Sequence, residues 1–277
     1  MRLIDSHAHL QAEAFAADAP EVLAVARATG LERLLAPGWD VVTSQASLEL
    51  ARTLGVDASV GIHPHYADRF GEADWAGLVE LASLPAVVAI GETGLDYDRS
   101  LSPRAAQLSN LRRHIDLAFR TSRPLIIHCR SARGDRGAQD DLVRELTDAG
   151  IGGPAWTERF GGRPAAVLHS FSGPVDYGEA CLALGCAVSI SGLAFRVGEE
   201  PTADVVRLVP RDRLLVETDS PYLSPPGAPR RRNEPRWVEV TARWVADQRG
   251  VDPEDLGDEL VAAYDHVFRR WMATPRG

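Results

Sequence analysis

Eight short apolar runs recur along this chain, each followed by a longer amphipathic stretch, and few architectures satisfy that alternation. The runs are Leu3–His9, Arg33–Gly38, Ala58–Pro64, Val87–Gly94, Pro124–Arg130, Ala165–Phe171, Ala187–Gly192 and Leu214–Thr218. Their length and composition predict strands. The intervening patterns predict helices near Pro20–Thr29, Thr43–Leu54, Glu72–Leu84, Pro103–Ser122, Ala138–Ala149, Pro174–Leu184, Thr202–Val209 and Glu234–Arg249. Pro20, Pro103 and Pro174 stand near helix starts, where a missing N–H costs least. Strands that alternate with helices run parallel, and eight such units imply closure. The expected fold class is therefore α/β: a TIM (β/α)8-type barrel, one domain over residues 1–277, with an extra C-terminal helix over Pro253–Met272. An open nine-unit sheet is the competing architecture. Two stretches break the rhythm: Ile151–Pro164 reads as a loop or short insertion, and Ser224–Pro235 as a long Pro/Arg loop.

Composition removes several chemistries. All 30 basic residues are Arg, so Schiff-base catalysis, a phosphate-loop lysine and a carbamylated-lysine metal bridge are excluded. With 39 acidic residues the net charge is −9, which argues against a long nonspecific DNA-binding surface but not against phosphate recognition inside a cleft. Cys129, Cys181 and Cys186 form no zinc pattern and leave an odd thiol. Together with the missing signal peptide, they point to a reducing cytoplasm. No apolar run approaches the ~20 residues that span a bilayer, so no membrane partner is expected.

The polar residues gather where a barrel places its active site, at the C-terminal ends of the strands. These ends read Asp5-Ser-His7-Ala-His9, Gly61-Ile-His63-Pro-His65, Gly91-Glu92-Thr-Gly-Leu-Asp96, His128-Cys-Arg130, His169-Ser-Phe-Ser-Gly173 and Glu217-Thr-Asp219. Residues two apart on a strand share a side, so His7 and His9 would both face the axis while Ser6 and Ala8 face outward. His114 and His266 lie away from strand ends and read as structural. Four imidazoles with Glu92 and Asp219 make a nitrogen–oxygen donor set that suits Zn²⁺ or Mn²⁺, and Mg²⁺ less well. Six donors exceed what one hydrolytic ion needs, so two divalent ions bridged by a carboxylate is the economical solution, with Glu92 the natural bridge. Cys129 should point to the helix layer as core. Arg130, Arg133, Arg136, Arg196 and Arg230–Arg232 follow strand ends and suit a phosphate substrate.

As a set, the motifs resemble the TatD family of metal-dependent deoxyribonucleases, within the amidohydrolase-like barrels. The matching stretches are IDSHAHL at 4–10, GIHPH at 61–65, GETGLDY at 91–97, IIHCR at 126–130, LHSFSG at 168–173, LLVETDSPYLSP at 214–225 and RRNEP at 231–235. The resemblance implies a TIM barrel and a metal-dependent phosphodiesterase acting on DNA, often 3′→5′, in DNA repair or degradation. It implies that His7, His9 and Asp219 hold one metal, that His128 and His169 hold the second, and that Glu92 bridges. It places His63 beside the substrate phosphate, and Asn233 and Glu234 near the active site. Asp219, Glu92 and His63 are then the expected catalytic residues, and His63, Arg130, Asn233 and Glu234 the expected substrate contacts. The expected partner is DNA with short or single-stranded ends, and the expected state a monomer. Two departures stand out: the long segment Ile151–Pro164, which could reshape the cleft rim, and Tyr264–Phe268, which replaces an Asn-containing ending. The rival readings are a metal hydrolase of a small-molecule or tRNA ester or amide on the same barrel, and an idle barrel that binds metal or a protein.

Overall fold

The computed structural model describes residues 1–269. Its strands are β1 (Leu3–Asp5), β2 (Leu31–Pro37), β3 (Asp57–Val60), β4 (Val87–Asp96), β5 (Leu125–Arg130), β6 (Ala166–Leu168), β7 (Ala187–Ile190) and β8 (Leu214–Val216). They pair in parallel in sequence order. Just past β1, the Ser6 N–H donates to the Val216 carbonyl at 3.0 Å, bringing the last strand back to the first. The barrel expectation holds, and the open sheet does not.

The surrounding helices are α1 (Ala19–Ala28), α2 (Val41–Leu54), α3 (Glu72–Ala82), α4 (Arg104–Thr121), α5 (Gly137–Asp148), α6 (Pro154–Phe160), α7 (Val175–Ala183), α8 (Pro201–Leu208), α9 (Val238–Arg249) and α10 (Pro253–Tyr264). Strand residues are buried almost throughout, all ten of β4 among them, as expected of parallel strands covered by helices. Local chemistry sets the helix ends. Asp40 caps α2 by accepting the Thr43 N–H at 2.7 Å, and Gly55 ends it in the left-handed region at φ 65°.

Several expectations need correction. β1, β3, β6, β7 and β8 end two to four residues early, because the chain leaves the ladder to turn across the barrel mouth. His7 and His9 thus sit on the outgoing turn rather than on the strand. Ser6 does not face outward: its hydroxyl reaches past β8 to Ser189 of β7 at 2.7 Å and lies 3.5 Å from Glu217. The segment Ile151–Pro164 is not a loop but carries α6, opened by Pro154 and closed by Gly161 at φ 61°. Trp156 packs edge-on against Phe119 at 5.0 Å and donates its ring N–H to the Ala149 carbonyl. Because α6 enters β6, it lies at the N-terminal end of the barrel, opposite the strand ends that carry the imidazoles. It does not shape the cleft rim. The last helix is shorter than expected: α10 stops at Tyr264 and a wider turn runs over Asp265–Arg269. The remainder of the expected helix, to Met272, falls outside the described residues.

Candidate active site

A bulge delivers the central carboxylate. β4 and β5 keep register at Ile90↔Leu125 and again from Thr93↔Ile127, so Glu92 falls in the irregular interval between them. Gly91, at φ 138°, permits this: a Cβ there would stand 2.4 Å from the Ile126 carbonyl oxygen. Glu92 thereby leaves the wall and stands among the imidazoles.

Its two oxygens face two different sets. Oε2 lies 3.3 Å from His7 Nε2 and 3.7 Å from His9 Nε2. Oε1 lies 3.0 Å from His169 Nε2, 3.2 Å from His63 Nε2 and 3.3 Å from His128 Nδ1. Asp219 Oδ1 completes the first set, 3.3 Å from His9 Nε2 and 3.7 Å from His7 Nε2. Within the sets, His7 Nε2 and His9 Nε2 are 3.2 Å apart, and His128 Nδ1 and His169 Nε2 3.3 Å. Two donors held about 2.05 Å from one tetrahedral ion stand about 3.3 Å apart. The donor atoms are therefore spaced to fit cations.

Hydrogen bonds outside the cluster decide which nitrogens keep a lone pair. His169 Nδ1 donates to Glu217 Oε1 at 3.1 Å, which frees Nε2. His128 Nε2 lies 3.4 Å from Asp96 Oδ2 without a hydrogen bond between them, and Nδ1 is the nitrogen that faces the cluster. A carboxylate behind a ligating imidazole is the usual way to fix its tautomer. His63 is wired the other way. Its Nδ1 accepts the His65 N–H at 3.1 Å, so the neutral ring carries its proton on Nε2. It points a donor, not a lone pair, into the site.

Burial opposes every charge here; charged partners outweigh it at Glu92, Asp219 and His169, and burial prevails at His63. Burial would raise Glu92, but His63, His169 and His7 hold it well below the ordinary carboxylate value. Asp219 is likewise held down against burial, by His9 first. Burial would lower His169, yet Glu92 and Glu217 hold it well above the usual imidazole value. His63 is pushed down to about 4 by burial despite Glu92, in keeping with a neutral donor.

The structure thus brings His7, His9, His63, Glu92, His128, His169 and Asp219 together. The expected substrate contacts divide. Arg130 stands half-exposed on the rim with its Nε donating to Asp98 at 2.7 Å. Asn233 is fully buried: its Nδ2 donates to the Thr218 and Tyr222 carbonyls, and its Oδ1 accepts the Glu234 N–H. It has nothing left for a substrate and holds the loop after β8. Glu234 is engaged by Arg232 at 2.8 Å and Arg236 at 3.0 Å. Of the other rim arginines, Arg136 is tied to Asp140 and Asp176.

Three carboxylates of the strand-end motifs, given no role by the sequence, stand behind the site. Besides Glu217 and Asp96, Asp5 accepts the Thr218 N–H and hydroxyl, at 2.9 and 2.6 Å, stitching β1 to β8. Burial pushes Asp5 up to about 8. Asp5 is the last residue of β1 and Glu217 the first past β8, each two residues before a residue of the cluster. Cys129 is half-buried, its thiol pushed up to about 12 by burial, and is neither ligand nor nucleophile. His114 is buried on α4, its Nδ1 donating to the Asn110 carbonyl and its Nε2 accepting the Ile62 N–H. Among the described residues no helix is long and apolar enough to cross a membrane.

Known proteins resemble this chain along nearly its whole length. The family model of TatD related DNases matches residues 4–269. A "3'-5' ssDNA/RNA exonuclease TatD" from Erwinia billingiae is 36% identical, covering 96% of this chain and 99% of its own. An "uncharacterized metal-dependent hydrolase YabD" from Bacillus subtilis is 34% identical, covering 96% and 99%. Among solved structures, the TatD homolog YJJV from Escherichia coli superposes with a TM-score of 0.82 at 24% identity, covering 96% of this chain and 98% of its own.

Proposed function

The chain belongs to the TatD related DNase family, and from that premise we propose that it is a metal-dependent deoxyribonuclease that trims single-stranded DNA from the 3′ end. The observation that carries the reading is the two-sided carboxylate: Glu92 offers one oxygen to His7 and His9 and the other to His128 and His169. His7, His9, Glu92 and Asp219 would hold one divalent ion, and Glu92, His128 and His169 a second. Mg²⁺, Mn²⁺ and Zn²⁺ are the candidates. Such ions supply a water of lowered pKa and neutralise phosphoryl oxygens.

The protein's own groups do the rest. Asp219 keeps 13% of its side chain exposed, against 3% for Glu92, so it borders the solvent from which the water arrives. Held below its ordinary pKa, it is a carboxylate at neutral pH and can orient that water or take its proton. His63 Nε2–H donates to a phosphoryl oxygen as charge develops there. Arg130 keeps its terminal nitrogens for a neighbouring phosphate, since only Nε is bonded to Asp98. We place the enzyme in the cytoplasm as a one-domain monomer; its three free cysteines fit a reducing compartment.

The test is digestion of 3′-end-labelled and internally labelled single-stranded DNA by metal-stripped protein, with Mg²⁺, Mn²⁺ or Zn²⁺ restored separately and Glu92→Ala as control. Cleavage from the 3′ end that needs metal and Glu92 supports the reading. No cleavage with any metal overturns it in favour of an ester or amide hydrolase on the same barrel.

A further inference from the structure

Most arginines among the described residues are already engaged. At the barrel's N-terminal end, Arg27 donates to the Leu54 carbonyl, Arg123 to Val87 and Leu84, Arg159 to Phe119, Arg213 to Leu182 and Arg249 to Val209. On the helices, arginines pair with acids, as Arg112 does with Glu145 and Arg243 with Glu239. Among the described residues, the guanidinium groups with no acidic partner, hydrogen bond or ring contact are those of Arg99, Arg133, Arg196, Arg230 and Arg231. All five are exposed, and all lie on loops that follow β4, β5, β7 and β8. Among the described residues, the unpaired guanidinium groups of a chain with net charge −9 are thus collected on the face that carries the histidines.

The same face presents an aromatic ring. Tyr222 is 56% exposed, yet its ring stands edge-on to His9 at 5.9 Å. Its backbone is fixed: its N–H donates to the Asp219 carbonyl at 2.8 Å, and its own carbonyl accepts from Asn233 at 2.7 Å. A large ring on a fixed backbone, mostly in solvent beside a buried polar site, can offer a π-face to a base, and Arg99 lies near enough for its charge to bear on the phenol.

We propose that this face carries a single strand of nucleic acid beyond the bond being cut, with the terminal base stacked on Tyr222 and neighbouring phosphates met by Arg99, Arg133, Arg196, Arg230 and Arg231. The proposal rests on the phosphodiesterase reading above. A single strand is required, because a duplex hides its base faces while every unpaired base offers one. The buried Asn233 enters as the residue that holds Tyr222 in place.

The experiment measures kcat/KM, with Mn²⁺ supplied, on octathymidylate ending in thymidine and on the same strand ending in an abasic residue. Wild type, Tyr222→Leu and Tyr222→Trp are compared. Base–aromatic stacking predicts that removing the terminal base costs the wild type and Tyr222→Trp about 10- to 100-fold, and Tyr222→Leu less than about threefold. Equal losses in wild type and Tyr222→Leu overturn the stacking, because a merely structural Tyr222 would scale both substrates alike. In parallel, Arg230→Gln combined with Arg231→Gln should raise KM for the octamer more than for dithymidine. It should also flatten the log–log salt dependence by about 1.4, at about 0.7 per lost contact. An unchanged slope removes those arginines from the track. If the wild type cleaves none of these strands, the phosphodiesterase reading falls and this proposal falls with it; cleavage without base dependence defeats this proposal alone.

Discussion

His114 should make the fold acid-sensitive in a way that can be isolated. Its ring is fully buried between α4 and the end of β3. Nδ1 donates to the Asn110 carbonyl at 2.8 Å, and Nε2 accepts the Ile62 N–H at 3.0 Å. Both nitrogens are satisfied only in the neutral ring, and protonating Nε2 would set two donors against each other beside His63. Burial pushes the imidazole from 6.5 down to about 4. The unfolded chain therefore binds this proton more readily than the native one. Stability supplied by neutral His114 is complete above pH 6.5, drains away as pH falls, and is gone below about 4. Between pH 7.5 and 4.5 the linkage amounts to about 2.5 kcal/mol. The assay is urea unfolding of metal-stripped wild type and His114→Gln at the two pH values, so that protonation elsewhere cancels in the difference. The wild type's advantage over the variant should shrink by about 2.5 kcal/mol on acidification. A difference that stays constant within about 0.5 kcal/mol would refute the reasoning, as would an NMR titration placing the native ring near 6.5.

Three further outcomes follow from the geometry. Glu217→Gln removes the charge behind His169 and should weaken metal binding about 10- to 100-fold by chelator competition, with an unchanged urea midpoint; unchanged affinity would deny Glu217 that role. Gly94→Ala sets a Cβ 2.0 Å from the His128 carbonyl oxygen at φ 136°, so unfolding experiments should show a loss of more than about 3 kcal/mol. Trp156→Ala should cost about 3–5 kcal/mol in the same assay while leaving kcat within about twofold, because α6 lies at the far end of the barrel; a large change in kcat would contradict that placement.

The barrel was legible because alternation of strand and helix is a global pattern that no single boundary error disturbs. The histidines were legible because each stands beside an apolar run. Strand ends were misjudged where polar residues leave the ladder yet stay buried, as at His7, His9 and Ser6: burial there comes from convergence at the mouth, not from pairing. α6 was hidden by the Gly and Pro residues around it, although Pro154 at its start and Gly161 at its end are helix-terminus signals in their own right. The inward-turned amide of Asn233 was not legible, because a motif gives proximity to a site without saying which way an amide faces.

The residues hardest to read are also the ones that give the imidazoles their roles. A histidine at a strand end can be ligand, donor or bystander, and its other nitrogen decides which. His169 is made a lone-pair donor by Glu217, and His63 is made a hydrogen-bond donor by nothing more than the His65 N–H. One backbone hydrogen bond separates a group suited to hold a cation from a group suited to meet a phosphoryl oxygen, although both approach the same oxygen of Glu92 at 3.3 Å or less. Spacing along the chain places the rings; the partners that set their protons come from other strands and turns, and only the folded barrel brings them together.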